Sequence, residues 1–274
     1  MKVKNLDDMT AYLQKKGMNH QMYYQYTNLE NAINIIQSGY WHLSLGDIMN
    51  DKQELKKGTE DKWNKTYISS FSYGAGENIA MWGIYCIPWS DAVRIGIRGK
   101  HMRDWISNIE SIYLVNREAN NRFEYSDEIK IKPILTDIGY ISLEGSEYSI
   151  KRGKDKIEFE TPLSFSEINT CDKITGYIKN AAWSYENEVR IKIELKDEIM
   201  NQTIAIKIPE EIRNGFELTA GPWCVEVVKS MANNKLRLKN LQFEFAAYND
   251  SLFRGLVDLK NICSYCNYTY EKSE

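Results

Sequence analysis

The stretch "AAWSYENEVRIKIEL", positions 181–195, carries the strand on which the fold prediction depends. Its second half alternates apolar and polar residues, which predicts a strand with one buried face. Glu186 and Glu188 precede that alternation, and at the mouth of a strand their spacing places both carboxylates on one face. Paired carboxylates repel, which raises one pKa and suits a site that stabilises a cation or accepts a proton. The plainer alternative is a solvated strand end whose acids pair with Arg190 or Lys192.

The composition is that of an ordinary globular protein. The chain has 274 residues, 35 basic against 38 acidic side chains and a net charge of -3, so it has no general attraction for nucleic acid or anionic lipid. One domain over residues 1–274, with an elaboration at about 100–160, is the expected organisation. No segment approaches the roughly 20 apolar residues of a membrane span, and the start lacks a signal-peptide core. We therefore expect a cytoplasmic protein with no membrane partner.

Periodicity predicts a mixed α+β chain with many short strands. Strands are expected at 21–27, 40–44, 65–72 and 91–98, and the segment at 29–38 has helical spacing between Asn28, a helix N-cap residue, and Gly39, a helix stop. A helix is also expected over 162–182, and another beginning at Pro222.

Two upstream strands carry polar or aromatic side chains in alternation. In "YISSFS", positions 67–72, Ser70 and Ser72 share one face, where hydroxyls orient a carboxylate or a ribose hydroxyl, or merely line a polar edge. In "YYQYTN", positions 23–28, Tyr24 and Tyr26 share one face and Gln25 and Thr27 lie on the opposite one. Aromatic residues in a strand are more often core than site. The four first-strand residues are Tyr24, Gln25, Tyr26 and Thr27.

Metal chemistry is not expected from this sequence. The loop "IMNDKQE", positions 48–54, offers Asn50, Asp51 and Glu54, which is too few oxygen ligands for a metal loop and is more typical of an Asx turn. The three histidines form no metal-binding motif. Motifs of phosphate-binding loops, dinucleotide folds and serine hydrolases are absent. Cys263 and Cys266 form one CxxC without a second ligand pair, and the other three cysteines are expected to be core residues.

Taken in order, five segments resemble a bacterial family known as domain of unknown function 2971. They are "YYQYTN", "LENAINIIQSGYWHLS", "IMNDKQE", "SSFSYGAGENIAMWGIY" and "AAWSYENEVRI", and the similarity spans about residues 23–190. Two positions depart from the family pattern. Gln25 stands where the family often has histidine, and Lys52 where it has proline.

That family in turn looks like ADP-ribosyltransferases and RNA 2'-phosphotransferases, which share a split β-sheet that holds NAD. The resemblance implies α+β architecture with split mixed or antiparallel sheets flanked by helices. It also implies that Glu188 is the catalytic acid, which binds the nicotinamide-ribose 2'-hydroxyl, and that Glu186 acts on the acceptor side. Ser70 and Ser72 become positioning hydroxyls. The implied NAD contacts are Tyr24, Gln25, Tyr26 and Thr27, with Trp82 and Tyr85 as stacking residues and Trp183 beside the acids.

The implied function is an NAD-dependent ADP-ribosyltransferase-like or NAD-cleaving enzyme, with NAD as substrate and no metal. A bacterial toxin or an antiphage defence effector is among the roles that such an activity serves, and the acceptor, protein or nucleic acid, is not specified. A non-catalytic module of the same fold that binds a nucleotide or a protein partner is the alternative, and a metal-independent nucleic-acid-processing enzyme is a third. Arg190 is expected to be a structural ion-pair partner of the strand.

Overall fold

The computed structural model of the protein describes residues 1–46, 60–74, 76–117, 123–144, 147–169, 171–238 and 241–256. Its α-helices are α1 (Leu6–Gly17), α2 (Leu29–Ser38), α3 (Glu60–Trp63), α4 (Ile79–Tyr85), α5 (Gly99–Asn108), α6 (Phe165–Asn169), α7 (Glu210–Arg213) and α8 (Glu226–Ser230). Its strands are β1 (Lys2–Val3), β2 (Met22–Asn28), β3 (Tyr40–Leu45), β4 (Thr66–Tyr73), β5 (Ala92–Arg98), β6 (Ser111–Arg117), β7 (Phe123–Lys130), β8 (Ile134–Asp137), β9 (Gly139–Glu144), β10 (Glu147–Arg152), β11 (Asp155–Phe159), β12 (Ile178–Asn180), β13 (Glu188–Glu194), β14 (Thr203–Lys207), β15 (Glu217–Ala220), β16 (Met231–Ala232), β17 (Lys235–Leu238), β18 (Leu241–Glu244) and β19 (Ala247–Asp250). The prediction of a mixed α+β protein is confirmed.

The largest sheet forks at β4. One edge of β4 pairs along its length with β13, from Glu188 opposite Ser72 to Glu194 opposite Thr66. On its other edge, β2 pairs with the end of the strand and β3 with its beginning. Between those two pairings, no described strand pairs with residues 69–71 on this edge. From the fork, one arm runs from β2 through β5 and β15 to β19, and the other from β3 through β14 and β6 to β7.

A second sheet and α1 form a smaller unit with its own core. Its strand order is β1-β11-β10-β9-β12, and α1 packs on it through Met9 and Leu13. The segment at 100–160 therefore contributes to both sheets: β6 and β7 extend one arm of the large sheet, β8 pairs with β13, and β9 to β11 belong to the second sheet. A third, small sheet has the order β16-β17-β18.

The main core lies on the face of the large sheet that α2 and α5 cover. Leu29, Ala32 and Ile36 of α2 are buried there, as the helical spacing predicts. The ends of α2 also match the prediction, because the Asn28 side chain accepts from the amide of Asn31 at 2.9 Å, and Gly39 takes the left-handed φ of 71°.

Two predicted helices are wrong. Residues 162–182 form only the short α6, a 3-10 turn at Asp172–Ile174 and the strand β12. Gly176 has φ +76° and ends any helix there, after which Ile178 pairs with Gly139 of β9. The helix expected from Pro222 begins only at Glu226, because the turn before it is held by a hydrogen bond from the Gly221 amide to the Ala92 carbonyl at 2.8 Å. Within the described residues, no helix has the length and apolar character needed to cross a membrane.

Gly17 gives a direct test of the packing between α1 and the large sheet. A Cβ at Gly17 would lie 2.7 Å from the Thr136 Cα and 2.8 Å from the Asp137 amide nitrogen, both of them backbone atoms of β8. We expect Gly17→Ala to lower the free energy of unfolding by about 1–3 kcal/mol, because the backbone must shift. Urea denaturation measures it.

Gly83 of α4 is the matched control, because a Cβ there meets nothing within 4 Å. We expect Gly83→Ala to leave the free energy of unfolding unchanged or to raise it by up to about 1 kcal/mol through helix propensity. Equal effects of the two substitutions would contradict the close approach of α1 to β8.

Candidate functional site

A cleft of about 320 Å³ opens at the fork of the large sheet. Consecutive residues of β4, from Ile68 to Ser72, all line it. Because alternate residues of a strand point to opposite faces, a continuous run shows that the open edge of β4 faces the cleft. The described residues that line it are Tyr24, Gln25, Tyr26, His42, Ser44, Ile68, Ser69, Ser70, Phe71, Ser72, Met81, Tyr85, Lys179, Trp183, Glu186 and Glu188.

The two acids of the opening stretch are both in this cleft, but strand alternation does not bring them together. Glu186 ends a 3-10 turn, and Asn187 takes a left-handed conformation with φ 44° before Glu188 begins β13. Asparagine tolerates that conformation better than most residues. The turn therefore aims the Glu186 side chain at the side of β13 that Glu188 occupies, and both acids contact Lys179.

Glu188 is a buried carboxylate whose oxygens are all engaged. Oε1 accepts from the Ser70 hydroxyl at 2.5 Å and from Arg190 Nε at 2.6 Å, while Oε2 accepts from Arg190 Nη2 and Lys179 Nζ, each at 3.2 Å. These contacts use the four lone-pair positions of a carboxylate. Burial by itself would raise the pKa of Glu188, but the charges of Arg190 and then Lys179 lower it to about 2. Glu188 is thus a fixed negative charge, and Arg190 is its buried partner.

Glu186 differs from Glu188 in the direction of its pKa shift. Its carboxylate accepts from the Tyr85 hydroxyl and from Lys179 Nζ, the latter at 2.6 Å. Burial, followed by repulsion from the Glu188 carboxylate, raises the pKa of Glu186. Burial and the Glu186 carboxylate also raise the pKa of the Tyr85 phenol, so Tyr85 donates its proton to this hydrogen bond. Of the two acids, Glu186 is the one suited to proton transfer.

Lys179 is the functional residue that sequence reasoning missed. It lies on β12, is 4% exposed and joins Glu186 to Glu188, and its ammonium lies 4.7 Å from the ring centroid of Trp183. Burial alone would lower the pKa of Lys179, but the Glu188 carboxylate, with Glu186, raises it. The predicted helix over this region hid its role. The one available signal was a lysine preceding the two acids by seven and nine residues.

The serine pair lies where the sequence places it. Ser70 and Ser72 are opposite Arg190 and Glu188 in the register of β4 with β13, so both hydroxyls face the acids. Ser70 donates to the Glu188 carboxylate, and Ser72 donates to the main-chain carbonyl of Glu186 at 2.8 Å. One serine therefore orients the carboxylate and the other fixes the turn.

Tyr24 and Tyr26 of β2 border the cleft and share a face with Arg94 of β5. Its guanidinium lies 4.1 Å from the ring centroid of Tyr24 and donates to the Tyr26 hydroxyl at 3.3 Å. Trp82 does not line the cleft. It is fully buried, edge to face with Tyr26, and its indole donates to Glu77 at 2.9 Å. The expectation that Trp82 stacks on a ligand is therefore corrected, because its ring is part of a small core.

Gln25 and Thr27 lie on the other face of β2, as predicted from alternation. Thr27 does not reach the acids; it accepts from the Asn31 amide at 3.2 Å and borders a neighbouring cavity. Gln25 borders both the cleft and that cavity. Trp183 and Tyr85 line the cleft on the side of the acids.

The remaining predictions concern the polar loop and the cysteines. Asn50, Asp51 and Glu54 lie outside the described residues, as do Cys263 and Cys266. Cys86 and Cys224 are fully buried, as expected of core thiols, whereas Cys171 is partly exposed. In the described part of the chain, no group of three or more His, Cys, Asp or Glu side chains is placed to hold a metal ion.

The chemistry available at the cleft follows from these contacts. It combines a fixed carboxylate, a second acid with a raised pKa, the Tyr85 phenol, a lysine and further aromatic side chains in one cleft. A fixed carboxylate stabilises positive charge that develops in a transition state, and a nearby acid whose pKa is raised is better suited to accept a proton than one whose pKa is lowered.

Comparison of the chain with protein-family models, with curated proteins and with solved structures finds no match in any of the three. The function must therefore be argued from the geometry of the cleft and from the sequence motifs that form it.

The contributions of the two acids to the stability of the fold should change with pH in opposite directions. The folded pKa of Glu188 is about 2, below its ordinary 4.5, so its charge stabilises the fold above pH 4.5 and this contribution is lost as the pH falls toward 2. The folded pKa of Glu186 is raised, so its contribution is complete below pH 4.5 and is lost as the pH rises through the folded pKa.

We expect Glu188→Gln to be less stable than the wild type at neutral pH, with the difference shrinking as the solution is acidified below pH 4.5. We expect the stability of Glu186→Gln, relative to the wild type, to increase as the pH rises above 4.5. Urea denaturation from about pH 3 to about pH 8 measures both. Parallel pH profiles of the two variants would show that the acids do not occupy different environments.

Proposed function

We propose that the chain is an ADP-ribosyltransferase-like enzyme that cleaves the nicotinamide glycosidic bond of NAD in the cleft at the fork. The observation that carries the proposal is the convergence of Glu186 and Glu188 with Ser70 and Ser72 of the adjacent strand. The order of these motifs in the sequence is what suggests the reaction, and their meeting in one depression is what supports it. The roles of toxin and of antiphage effector remain hypotheses that rest on this activity.

The reaction balances without a metal or an oxidant. The bond between ribose C1' and the nicotinamide nitrogen breaks, and nicotinamide leaves with the bonding electron pair. Positive charge develops on the ribose, and the Glu188 carboxylate stabilises it from a fixed position. An acceptor hydroxyl or water then attacks C1' and loses a proton, for which Glu186, with Tyr85 as its hydrogen-bond donor, is the proposed base.

Glu188 cannot accept a further hydrogen bond in the arrangement described. A ribose 2'-hydroxyl must displace one of its donors, and the two contacts at 3.2 Å, from Lys179 and from Arg190 Nη2, are the longest. Lys179 also contacts Glu186 at 2.6 Å, so it keeps a partner when it leaves Glu188. We therefore infer that Lys179 shifts toward Glu186 when substrate binds.

Nicotinamide release from NAD by the purified protein tests the proposal. We expect Glu188→Gln to reduce kcat/KM for NAD by at least about 100-fold, because it removes the charge that stabilises the transition state. Glu186→Gln should lower transfer to the acceptor more than it lowers nicotinamide release. Cell lysate is added as the source of acceptors.

Glu158→Gln is the matched control, because Glu158 is exposed on β11 and pairs with Lys156 at 2.9 Å. It should release nicotinamide at the wild-type rate. Absence of nicotinamide release by the wild type in the presence of lysate, or equal rates in the wild type and Glu188→Gln, would overturn the enzymatic proposal.

A binding module is the second proposed function, and the complete pairing of Glu188 favours it. In such a module the charged side chains of the cleft are structural, and NAD binds without turnover. These side chains are Lys179, Glu186, Glu188 and Arg190. We then expect NAD to raise the melting temperature of the wild type and of Glu188→Gln in a concentration-dependent way, with no nicotinamide formed. A melting temperature that does not change with NAD contradicts both functions.

A further inference from the structure

A second cavity of about 740 Å³ adjoins the cleft. Four residues line both: Gln25, His42, Ser44 and Ser69. Its volume falls in the range of roughly 300–1,000 Å³ that small-molecule sites occupy. The second cavity lies between α2, β3 and the segment before β14, on the face of β2 opposite Tyr24 and Tyr26.

The described lining of this cavity contains no Asp, Glu, Lys or Arg. His42, the one histidine in that lining, has its pKa lowered by burial, and it hydrogen-bonds the Tyr125 hydroxyl at 3.0 Å. An anionic or cationic group placed there would lose its hydration without gaining a counter-charge among these residues. The lining therefore favours an uncharged ligand.

The polar groups of the lining are chiefly side-chain amides. Six of the residues are Asn or Gln: Gln25, Asn31, Asn34, Asn116, Asn201 and Gln202. Each amide carries both a donor and an acceptor, which matches the mixed edges of nucleobases and the hydroxyls of ribose. The aromatic rings of Phe123 and His42, edge to face at 4.7 Å, supply an apolar surface of the kind on which bases stack.

Two of these amides are held in fixed orientation before any ligand arrives. Asn201 Nδ2 donates to the Val115 carbonyl at 3.1 Å and to Asn116 Oδ1 at 3.0 Å. Both N–H groups of the Asn201 side chain are thereby used, and its side-chain oxygen Oδ1 is the group that it offers to a ligand. Asn116 is fixed in turn by donation to the Ser126 hydroxyl at 3.2 Å.

Gln25 gives an independent indication of a ligand. Its Oε1 is buried and has no hydrogen-bond partner among the described residues. A buried acceptor without a partner costs about 1–3 kcal/mol, which a donating ligand recovers. Because Gln25 lines both the cleft and the second cavity, a ligand in the second cavity that donates to it lies at the boundary between the two.

We propose that the second cavity binds an uncharged nucleoside, through its base and sugar, with Gln25 accepting a hydrogen bond from it. The inference rests on the proposed function for its significance, because the nucleoside is then either the adenosine half of NAD or a separate nucleoside next to the reacting ribose. Binding itself does not require that function.

Isothermal titration calorimetry with adenosine, guanosine, cytidine and uridine tests the inference on the intact chain. We expect saturable binding of at least one of them, weakened about five-fold or more in Gln25→Met, which keeps the side-chain length and removes its hydrogen bonding. Gln242→Met, the same change at an exposed position on β18, should bind as the wild type does.

If Gln25→Met does not fold, Asn34→Leu on α2 replaces it as the test of the same lining. Absence of saturable binding by the wild type to all of these nucleosides overturns the inference. Equal weakening by Gln242→Met does so as well.

Nucleoside titration in the presence of saturating NAD distinguishes a site for the adenosine half of NAD from a site for a separate nucleoside. Competition identifies the site as that of NAD's own adenosine, and simultaneous binding identifies a site for a separate nucleoside; both outcomes support the inference. Nucleoside binding without nicotinamide release means that only the proposed enzyme fails. Nicotinamide release without nucleoside binding means that only this inference fails.

Discussion

The structure depends on one buried network of charges, formed by Lys179, Glu186, Glu188 and Arg190. Each of these residues is less than 5% exposed. A buried charge is very costly unless it is paired, and breaking such a pair leaves an uncompensated charge behind. The elements that carry the network, β12, the turn before β13 and β13 itself, must therefore keep their relative positions. Ser70 of β4, the strand paired with β13, joins the same network through its hydrogen bond to Glu188.

The fork at β4 turns that network into a site. A strand paired fully along both edges would present only a flat face to a ligand, whereas the open stretch at residues 69–71 presents an edge with both strand faces beside it. Glu188 approaches from the paired side of β4, and β2 approaches from the open side. The amide-lined cavity lies on the face of β2 that carries Gln25 and Thr27, so Gln25 borders two polar environments of different character, one charged and one neutral.

The network also gives the two acids unequal chemistry, although their spacing in the sequence treats them alike. Arg190 and Lys179 keep Glu188 ionised, and the fixed charge of Glu188 then raises the pKa of Glu186. Lys179 contacts both acids, so its position decides how much charge either of them can offer to a ligand.

The sequence alone determined the local features. Alternation placed Ser70 and Ser72 on one face, and helical spacing and capping residues set the bounds of α2, because these properties depend on near neighbours in the chain. Tertiary structure decided what depends on distant contacts. Pairing with β9 makes β12 a strand, which brings Lys179 to the acids, and burial in a small core removes Trp82 from the cleft. The fork itself arises from the pairing of β2 and β3 with different parts of one strand, which no local pattern encodes.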